Sequence, residues 1–458
     1  MVFPVVGGNQ DTAVYEISNS LRFNDDDTAY LNRTRSSQSN TTGTFSVWTK
    51  MGNPDADNIL FGGHTDVNNR SYIYFSDPTG YGGIFSRTSG SADINFATNA
   101  LYRDPSAWYH VVVAIDTTQG TESNRFKMYV NGEQITSFSA SSYPSQNASL
   151  PILNQAAQTV GGGYGSSAVS AMAEGYMADA YYIDGTQYAA SDFGETNDNG
   201  VWIPKKFTGS FGTNGFKLEF QQTGTGTNSS GMGADTSGND NHLAVNNLAS
   251  TDVTTDTPTN NFCTLNPLGQ GGGGSTLAEG NLKETTDDNA GCPATFAVAN
   301  GKWYWEIKIE AGSNNHIGIG DADFYDQLGT SVNYRITLYQ PDGRVFNMGS
   351  TTQGGDSGRV YDQGDIMAIR LDLESGTRTI KWYEDDTLIA TENIGAAQVL
   401  LTPVASKGGS SQTQNYNFGN PAFSISSGNS DANGYGNFEY AVPSGHYALC
   451  TKNLAEYG

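Results

Sequence analysis

Oxygen-bearing side chains are concentrated at two places in the sequence. The two groups are Asp55, Asp57 and Asp66, and, much further along, Asp235, Asn239 and Asn241. Carboxylate and amide oxygens are the ligands that hard cations such as calcium prefer. The same residue types are common in turns, because their short polar side chains bond to nearby backbone groups. Calcium binding and simple turn formation are therefore both open at each group, and we favour turns.

Aromatic side chains on glycine-rich loops form a second set of candidates. Tyr81 and Tyr164 are flanked by glycines, and His64 lies in a short polar loop, residues 62–66. Sugar sites combine aromatic platforms with a few polar groups. These three residues are therefore our candidate ligand contacts. The alternative for each is an exposed side chain that only fills its loop.

Pairs of carboxylates could hydrolyse a glycosidic bond if their spacing were suitable. Glu306 and Glu310 share one face of a predicted strand, but they would be roughly 13 Å apart, which is too far for either retaining or inverting hydrolysis. Asp372 and Glu374 would be about 7 Å apart, which could suit inversion. The end of a strand running into a turn explains that pair more simply. The sequence also lacks the serine-hydrolase, zinc-protease and phosphate-loop motifs, so we predict no enzymatic activity.

Composition indicates an all-β protein of several domains. The chain has 458 residues, which is more than one ordinary core accommodates. It contains 56 Gly, 25 Tyr and 21 Phe, and only 15 % of its residues are charged. Short aromatic or β-branched runs between Gly, Asn, Ser and Thr are typical of strands and turns.

The charge balance excludes some partners. With 23 basic and 47 acidic residues, the formal net charge is −24. This charge argues against nucleic acid and anionic membranes as partners, and it is compatible with cations and neutral sugars. No stretch is long enough to cross a bilayer, and the apolar start, residues 1–8, is too short for a signal peptide. Three widely spaced cysteines form neither a disulfide framework nor a zinc pattern, so we expect folding in a reducing cytoplasm.

Two hairpins organise the predicted strands. The first joins residues 108–116 to residues 125–130 and ends in Asn131 and Gly132, which favour a type I′ turn because both tolerate positive φ. The second joins residues 366–373 to residues 377–383. Two hairpins so far apart predict two sheet domains, each with its own core.

The first domain resembles a known family in its strand motifs. The runs at 20–23, 45–48, 108–111 and 128–132 (SLRF, FSVW, WYHV and MYVNG) are similar to those of laminin-G-like, concanavalin A-like jelly rolls over roughly residues 15–220. The resemblance implies a two-sheet sandwich, in some members with calcium in loops at its edge. The family's glycosidase run, Glu-x-Asp-x-x-Glu, is absent.

Further motifs resemble those of tailed-phage virion proteins. They lie at residues 192–195, 202–205, 213–216 and 235–242 (DFGE, WIPK, TNGF and DTSGNDNH). Residues 221–276 are rich in Gly, Thr and Asn with little to bury, and we predict that they form a linker. Residues 1–14 are expected to be a tail that docks to a partner or forms an intertwined base.

The last part of the chain, residues 277–458, resembles the SPRY sandwich family. The similarity lies in an aromatic strand at 301–309, a Gly-Ile-Gly strand at 316–320, a Gly-Asp strand start at 364–365 and a late Asn-Phe-Gly strand at 416–419. SPRY hairpins usually carry Asn-Gly where this chain has Asp385 and Asp386.

Together the motifs predict an all-β chain of two β-sandwich (jelly-roll) domains joined by a Gly/Thr/Asn-rich linker. The resemblance implies a non-enzymatic virion protein, made in the host cytoplasm. It would be a tail fibre, spike or capsid-surface appendage that binds a host-surface glycan. Expected partners are other virion proteins and further copies of the chain in a homotrimer. A purely structural decoration protein and a polysaccharide-degrading tailspike are the alternatives.

Overall fold

A computed structural model describes most of the chain, and almost all of its regular structure is strand. The described residues are 15–35, 41–53, 57–76, 78–154, 157–165, 168–272, 275–286, 290–321, 335–347, 350–353, 360–395, 400–407 and 411–458. The predicted all-β class is confirmed. Among these residues, no helix is long and apolar enough to span a bilayer.

The first half of the chain consists of short strands joined by tight turns. In order they are β1 (Ser20–Phe23), β2 (Tyr30–Thr34), β3 (Thr42–Met51), β4 (Ile59–Asp66), β5 (Asn69–Phe75), β6 (Gly82–Thr88), β7 (Ser91–Thr98), β8 (Tyr109–Asp116), β9 (Phe126–Val130), β10 (Glu133–Gln134), β11 (Phe138–Ser142), β12 (Ala157–Val160), β13 (Gly162–Tyr164), β14 (Val169–Met172), β15 (Gly175–Asp184), β16 (Gly194–Thr196), β17 (Trp202–Pro204), β18 (Phe216–Leu218), β19 (Ala244–Asn246) and β20 (Val253–Thr254). The helical pieces are α1 (Pro151–Asn154) and 3₁₀ turns at Glu122–Asn124, Ala190–Asp192, Ser250–Asp252 and Pro267–Gly269.

These strands form two large sheets within the described residues. One has the order β10-β9-β8-β3-β15-β1-β20 with β18 beside β15, and the other has the order β11-β7-β6-β5-β4-β12-β2-β19. Phe45 of β3 stacks on Phe61 of β4 with ring centroids 4.6 Å apart, so the sheets pack face to face. Both residues belong to one apolar core with side chains from each sheet. The predicted first hairpin is the antiparallel pair β8–β9, and Asn131 and Gly132 have φ of 48° and 84°.

The second half contains a further set of strands. They are β21 (Gly271–Gly272), β22 (Ser275–Ala278), β23 (Lys283–Thr286), β24 (Ala290–Pro293), β25 (Lys302–Ala311), β26 (Asn315–Asp321), β27 (Arg335–Tyr339), β28 (Val345–Asn347), β29 (Ser350–Gln353), β30 (Ile366–Asp372), β31 (Thr379–Glu384), β32 (Thr387–Asn393), β33 (Leu401–Lys407), β34 (Gln412–Asn417) and β35 (Tyr447–Ala448), followed by helix α2 (Thr451–Tyr457).

The second sandwich is also built from two facing sheets in the described residues. Their orders are β21-β24-β33-β26-β27-β28-β29 and β22-β23-β34-β25-β30-β31-β32, with β35 beside β25. Trp303, Trp305 and Trp382 are completely buried in its core. The indole of Trp382 donates a 2.9 Å hydrogen bond to the carbonyl of Ile317 in the opposite sheet. The aromatic strand predicted at 301–309 is therefore the centre of this core.

The turn between β31 and β32 keeps the hairpin geometry without the usual residues. Asp385 and Asp386 have φ of 46° and 58°, the positive values that a type I′ turn requires. Arg370 binds Asp386 at 2.6 Å, and the hydroxyl of Tyr440 donates to Asp385 at 2.8 Å. These tertiary contacts stabilise two aspartates where glycine would be less strained.

Residues 221–276 differ from the predicted linker. β19 pairs with β2 and β20 pairs with β1, so this stretch completes both sheets of the first sandwich. Several of its apolar residues are buried: Met232, Leu243 and Leu248 lie in the first core, and Cys263 and Leu265 lie in the second. The expectation that this stretch has little to bury is wrong, because these sparse apolar residues reach the two cores and parts of the stretch pair with strands of the first sandwich.

A buried polar seam joins the two sandwiches. The Lys50 ammonium donates to Asp256 at 2.9 Å, to Asn261 at 2.7 Å and to the carbonyl of Phe262 at 2.8 Å. Lys50 and Asp256 are each 1 % exposed. A fully buried charge pair with further hydrogen bonds fixes geometry well, so we infer that the sandwiches keep a defined relative position.

Candidate functional site: an aromatic cleft on the first sandwich

Strand alternation places aromatic side chains on the outer face of the β4–β7 region. In β5, Ile73 and Phe75 point into the core, and Tyr72 and Tyr74 point outward, half-buried. Phe85 of β6 is the register partner of Tyr72, and their ring centroids are 5.4 Å apart. The centroids of Tyr72 and Tyr74 are 6.3 Å apart. Three aromatic rings thus form one patch on a rigid sheet.

Gly83 allows Tyr74 to lie across the sheet. The Tyr74 hydroxyl donates to the carbonyl of Phe96 at 3.1 Å, so the side chain reaches over β6 to β7. A Cβ atom on Gly83 would be 2.6 Å from the Tyr74 hydroxyl and 1.9 Å from the Phe96 carbonyl oxygen. Any side chain at this position would therefore displace the tyrosine or the neighbouring strand.

Tyr164 forms the wall of the cleft and is held from two sides. Arg70 donates to the carbonyls of Tyr164 at 2.6 Å and Gly165 at 2.7 Å. His64 stacks on the Tyr164 ring with centroids 4.4 Å apart. His64 is 8 % exposed, and burial lowers its pKa, so it remains a neutral ring at neutral pH. This packing keeps the tyrosine in place before any ligand arrives.

The patch and wall enclose an open cleft of about 470 Å³. That volume falls within the range of small-molecule sites. Polar groups from Asp57, Arg70 and Asn95 line it beside the aromatic rings. Burial raises the pKa of Tyr72, and the charge of Asp57 adds to that rise against the effect of Arg70. The phenol therefore stays protonated and can donate a hydrogen bond.

The three predicted ligand contacts have different positions. Tyr164 lines the cleft, as expected of a ligand contact. His64 lies behind Tyr164 and positions that ring rather than facing solvent. Tyr81 is half-buried immediately before β6 and does not line the cleft.

In the first oxygen-rich group, the carboxylate of Asp66 holds a turn. It accepts hydrogen bonds from the backbone of Asn68 at 2.7 Å and of Asn69 at 3.1 Å, and from the Asn69 side chain. The side-chain bond from Asn69 and the backbone bonds lower the pKa of Asp66. Asp57 lies instead in the aromatic cleft, and Asp55 is outside the described residues.

The second oxygen-rich group fastens two loops together. Asp235 accepts hydrogen bonds on both carboxylate oxygens, from the backbone of Lys217, Ser237 and Asn241 and from the Ser237 hydroxyl. Asn239 and Asn241 both donate to the carbonyl of Gly215, at 3.0 and 2.9 Å. Their amide groups thus point nitrogen atoms, not oxygen atoms, at this loop. Among the described residues, no three His, Cys, Asp or Glu side chains are grouped as metal ligands, and calcium at either group stays a prediction.

The carboxylates considered for catalysis lie in structural contacts. Asp372 accepts hydrogen bonds from Ser375 and the backbone of Glu374, and it pairs with Lys302 at 3.0 Å. Burial raises its pKa, but these bonds outweigh burial and lower the pKa to about 2. Glu306 is fully buried. Asp372 is therefore a turn-forming carboxylate, and Glu306 is out of reach of solvent.

A serine–histidine contact in the first sandwich also has a structural explanation. The indole of Trp202 donates to Nδ1 of His110 at 3.0 Å, and Nε2 lies 2.8 Å from the Ser46 hydroxyl. Because an indole can only donate, Nε2 must carry the proton and donate to Ser46. His110 cannot then accept a proton from the serine. It is 1 % exposed, and burial lowers its pKa to about 3, so it is a packed residue.

Comparison with known proteins identifies the fold of the first sandwich. A family model described as the concanavalin A-like lectin/glucanases superfamily matches residues 23–180. This region has a laminin-G-like, concanavalin A-like jelly-roll fold. The aromatic cleft lies within this matched region.

Several solved structures are similar to this chain at low identity. The SPRY domain of human HERC1 is 15 % identical, with 33 % of this chain and 96 % of that domain covered and a TM-score of 0.28. A heptameric SAP-like pentraxin from Limulus polyphemus is 14 % identical, with coverages of 38 % and 80 % and a TM-score of 0.29. Domains LG4-5 of the mouse laminin α1 chain are 10 % identical, with coverages of 91 % and 93 % and a TM-score of 0.31. No curated protein matches the chain.

Sequence reasoning missed most of the aromatic cleft. Of its lining, only Asp57 and Tyr164 were among the candidates, and Tyr72 and Tyr74 were not. The alternation of Tyr with Ile73 and Phe75 was the signal that could have found them. Phe85 and Arg70 carried no comparable signal, since only strand pairing brings them to the same surface.

Proposed function

We propose that this chain binds carbohydrate in the aromatic cleft of the first sandwich. The observation that carries the proposal is the convergence of Tyr72, Tyr74, Phe85 and Tyr164 on one open cleft. Sugar rings present flat faces of C–H groups that pack on aromatic rings, and their hydroxyls need nearby donors and acceptors. The lectin-type fold of residues 23–180 is compatible with this ligand class.

The rigidity of the cleft supports binding without a large ordering penalty. Tyr74 is held by the Phe96 carbonyl, and Tyr164 is held by His64. Side chains that are already fixed lose little conformational entropy when a ligand binds. Among the described residues, the charged groups in the cleft lining are Arg70 and Asp57, which balance each other, so we expect a neutral sugar.

We further propose that the chain acts as a virion surface protein that binds a host glycan. This role rests on the phage-like motifs at 192–195, 202–205, 213–216 and 235–242. A homotrimer would carry three clefts, and avidity would strengthen a weak single-site affinity. A structural decoration protein would bind no glycan, and a tailspike would cleave one.

Replacing Tyr72 or Tyr164 with alanine should weaken glycan binding several-fold. Loss of one aromatic contact typically costs about 1 kcal/mol. The measurement is a glycan array to identify a ligand, followed by calorimetric titration of each variant. Tyr81→Ala is the matched control, since Tyr81 lies outside the cleft lining, and its affinity should stay within twofold of the parent. Equal losses in all three variants would show that the cleft is not the binding site.

No reducing ends should appear when the chain is incubated with the glycan that it binds. The carboxylates closest to a glycosidase spacing, Asp372 and Glu374, lie on the second sandwich, and Asp372 is occupied by Ser375 and Lys302. The measurement is a reducing-sugar assay over hours at several pH values. Release that Asp372→Asn abolishes would favour the tailspike alternative instead.

A further inference from the structure

A second cleft, of about 600 Å³, lies where the two sandwiches meet. The first sandwich contributes residues near β20, including Thr251 and Thr255, and the second contributes residues around Asn420 and Tyr435. The residues that line the aromatic cleft do not line this one. We call it the seam cleft.

The lining of the seam cleft is polar but nearly uncharged. Its side chains are mainly hydroxyls and amides, among them Thr251, Thr255 and Thr259. The charged residues in the lining, Glu16 and Lys452, pair with each other at 2.9 Å across the boundary between the sandwiches. A surface of neutral donors and acceptors suits a ligand rich in hydroxyl groups. Because the net charge of the whole chain is negative and repels anions, we expect that ligand to be uncharged.

One buried amide at the seam cleft has an unmet hydrogen bond. Asn420 is 8 % exposed, and its Oδ1 accepts bonds of 2.8 Å from both the backbone and the hydroxyl of Thr255. Its Nδ2 has no acceptor among the described residues. A buried donor without a partner is unfavourable. An oxygen of a bound ligand would satisfy it after a small adjustment of the side chain.

Tyr435 supplies an aromatic surface on a fixed loop. It stands between Gly434 and Gly436, whose φ values of 81° and 93° turn the backbone sharply on either side. Its backbone N–H donates to the buried carboxylate of Asp431 at 2.9 Å, which holds the loop. The Lys452 ammonium lies 5.7 Å from the Tyr435 ring centroid and supports it. The side chain is half-buried and lines the seam cleft.

We propose that the seam cleft is a second carbohydrate site, which binds a neutral oligosaccharide across both sandwiches. This inference rests on the proposed function for the class of ligand, but it uses none of the residues that line the aromatic cleft. Asn420 would donate to a sugar hydroxyl or ring oxygen, and Tyr435 would pack on a sugar face. Because both sandwiches line the cleft, a bound sugar would also favour their joined arrangement.

The test is a calorimetric titration of the full chain with neutral hexasaccharides: malto-, cello-, xylo-, laminari- and mannohexaose. It uses the parent and a variant carrying Tyr72→Ala and Tyr164→Ala, which disables the aromatic cleft. We expect one sugar to bind this variant with a stoichiometry of one. In that background, Tyr435→Ala and Asn420→Asp should each weaken binding about fivefold, the usual effect of losing one aromatic or hydrogen-bonding contact.

Two conservative changes serve as controls. The test variant Asn420→Asp keeps the oxygen that accepts from Thr255 but removes the Nδ2 donor and adds a negative charge. Its control is Asn199→Asp, which adds the same charge at an exposed turn outside both clefts. The control for Tyr435→Ala is Tyr435→Phe, which keeps the aromatic ring. Asn199→Asp and Tyr435→Phe should leave affinity within twofold, and all variants should keep the parent's melting temperature within a few degrees.

The outcomes separate this inference from the proposed function. If disabling the aromatic cleft abolishes all binding, the seam site is overturned and the aromatic cleft stands. If the seam variants leave residual binding unchanged, the seam site is overturned. If only the seam variants weaken binding, the aromatic cleft is wrong and the seam site stands. If none of the five sugars binds the parent or the variant, the seam site is overturned, and the glycan array decides the aromatic cleft separately. Binding of an extended Ser/Thr-rich peptide instead of sugars would make the seam cleft a peptide site and overturn the inference.

Discussion

Replacing Lys50 with methionine should lower the free energy of unfolding by about 3–5 kcal/mol. The ammonium is 1 % exposed and is bound by three oxygens, those of Asp256, Asn261 and Phe262. Methionine fills the same space but leaves the carboxylate of Asp256 buried without its cation. That carboxylate would keep only its bonds from the Trp108 indole and the Phe262 backbone, both 3.1 Å long.

Chemical denaturation followed by tryptophan fluorescence measures this loss. The control is Lys283→Met, because Lys283 pairs with Glu310 at 3.4 Å on the surface, and exposed pairs contribute about 0–1 kcal/mol. The double variant Lys50→Met with Asp256→Asn should lose less free energy of unfolding than the two single variants lose together, because no buried charge remains unpaired. A loss below about 1 kcal/mol for Lys50→Met would mean that the seam does not stabilise the chain.

The second large effect is expected for Glu306→Ala, which should lower the free energy of unfolding by about 4 kcal/mol. Glu306 is fully buried in β25, and its carboxylate accepts four hydrogen bonds. The donors are the Tyr304 hydroxyl, the Asn417 amide and the backbone of Glu439 and Tyr440, at 2.8 to 3.1 Å. Alanine would leave all four donors without this acceptor in a place that water cannot reach easily.

Glu310→Ala is the matched control on the same strand, since its side chain is partly exposed and should cost less than about 1 kcal/mol. Glu306→Gln should be intermediate, because one of its two terminal atoms can still accept. Thermal and chemical unfolding of the three variants decide the matter. A loss for Glu306→Ala no greater than that for Glu310→Ala would show that the four bonds are not net stabilising.

The pH dependence of Glu306 adds an independent check. Burial raises the pKa of this carboxyl above 4.5, although four hydrogen bonds act in the opposite direction. A raised pKa means that the folded state holds its proton more tightly than the unfolded chain does. Stability from this group is therefore present below pH 4.5 and is lost as pH rises through the folded pKa. As pH falls from neutral, the parent should gain stability relative to Glu306→Gln.

The sequence was sufficient for the strands of the two central hairpins, for the turn at Asn131 and Gly132, and for the aromatic strand. The alternation in residues 125–130 and the conformational freedom of Asn131 and Gly132 are local properties, so β8 and β9 follow from them. The aromatic strand at 301–309 likewise became the buried β25. Local patterns decide these elements because neighbouring residues alone determine which face of a strand is apolar.

The role of residues 221–276 depended on contacts with distant parts of the chain. Their composition resembles that of a flexible linker, and only β2 and β1 as pairing partners turn parts of them into β19 and β20. Asp235 and Asn241 show the same dependence. Their oxygen-rich pattern was open to a cation or a turn. The structure places the Asn241 amide against the carbonyls of Thr213 and Gly215, and the Asp235 carboxylate against the backbone of Lys217 and Asn241.

The sequence by itself determined the all-β class, the two sandwiches and Tyr164 as a candidate contact, because strand patterns and glycine-flanked aromatics can be identified locally. Only the tertiary structure decided which side chains share a site. Tyr72 and Tyr164 are far apart in the chain and line one cleft because β4 pairs with both β5 and β12, and β13 follows β12. The seam cleft depends still more on assembly, since Thr255 and Asn420 belong to different sandwiches and bond to each other where Lys50 and its partners join them.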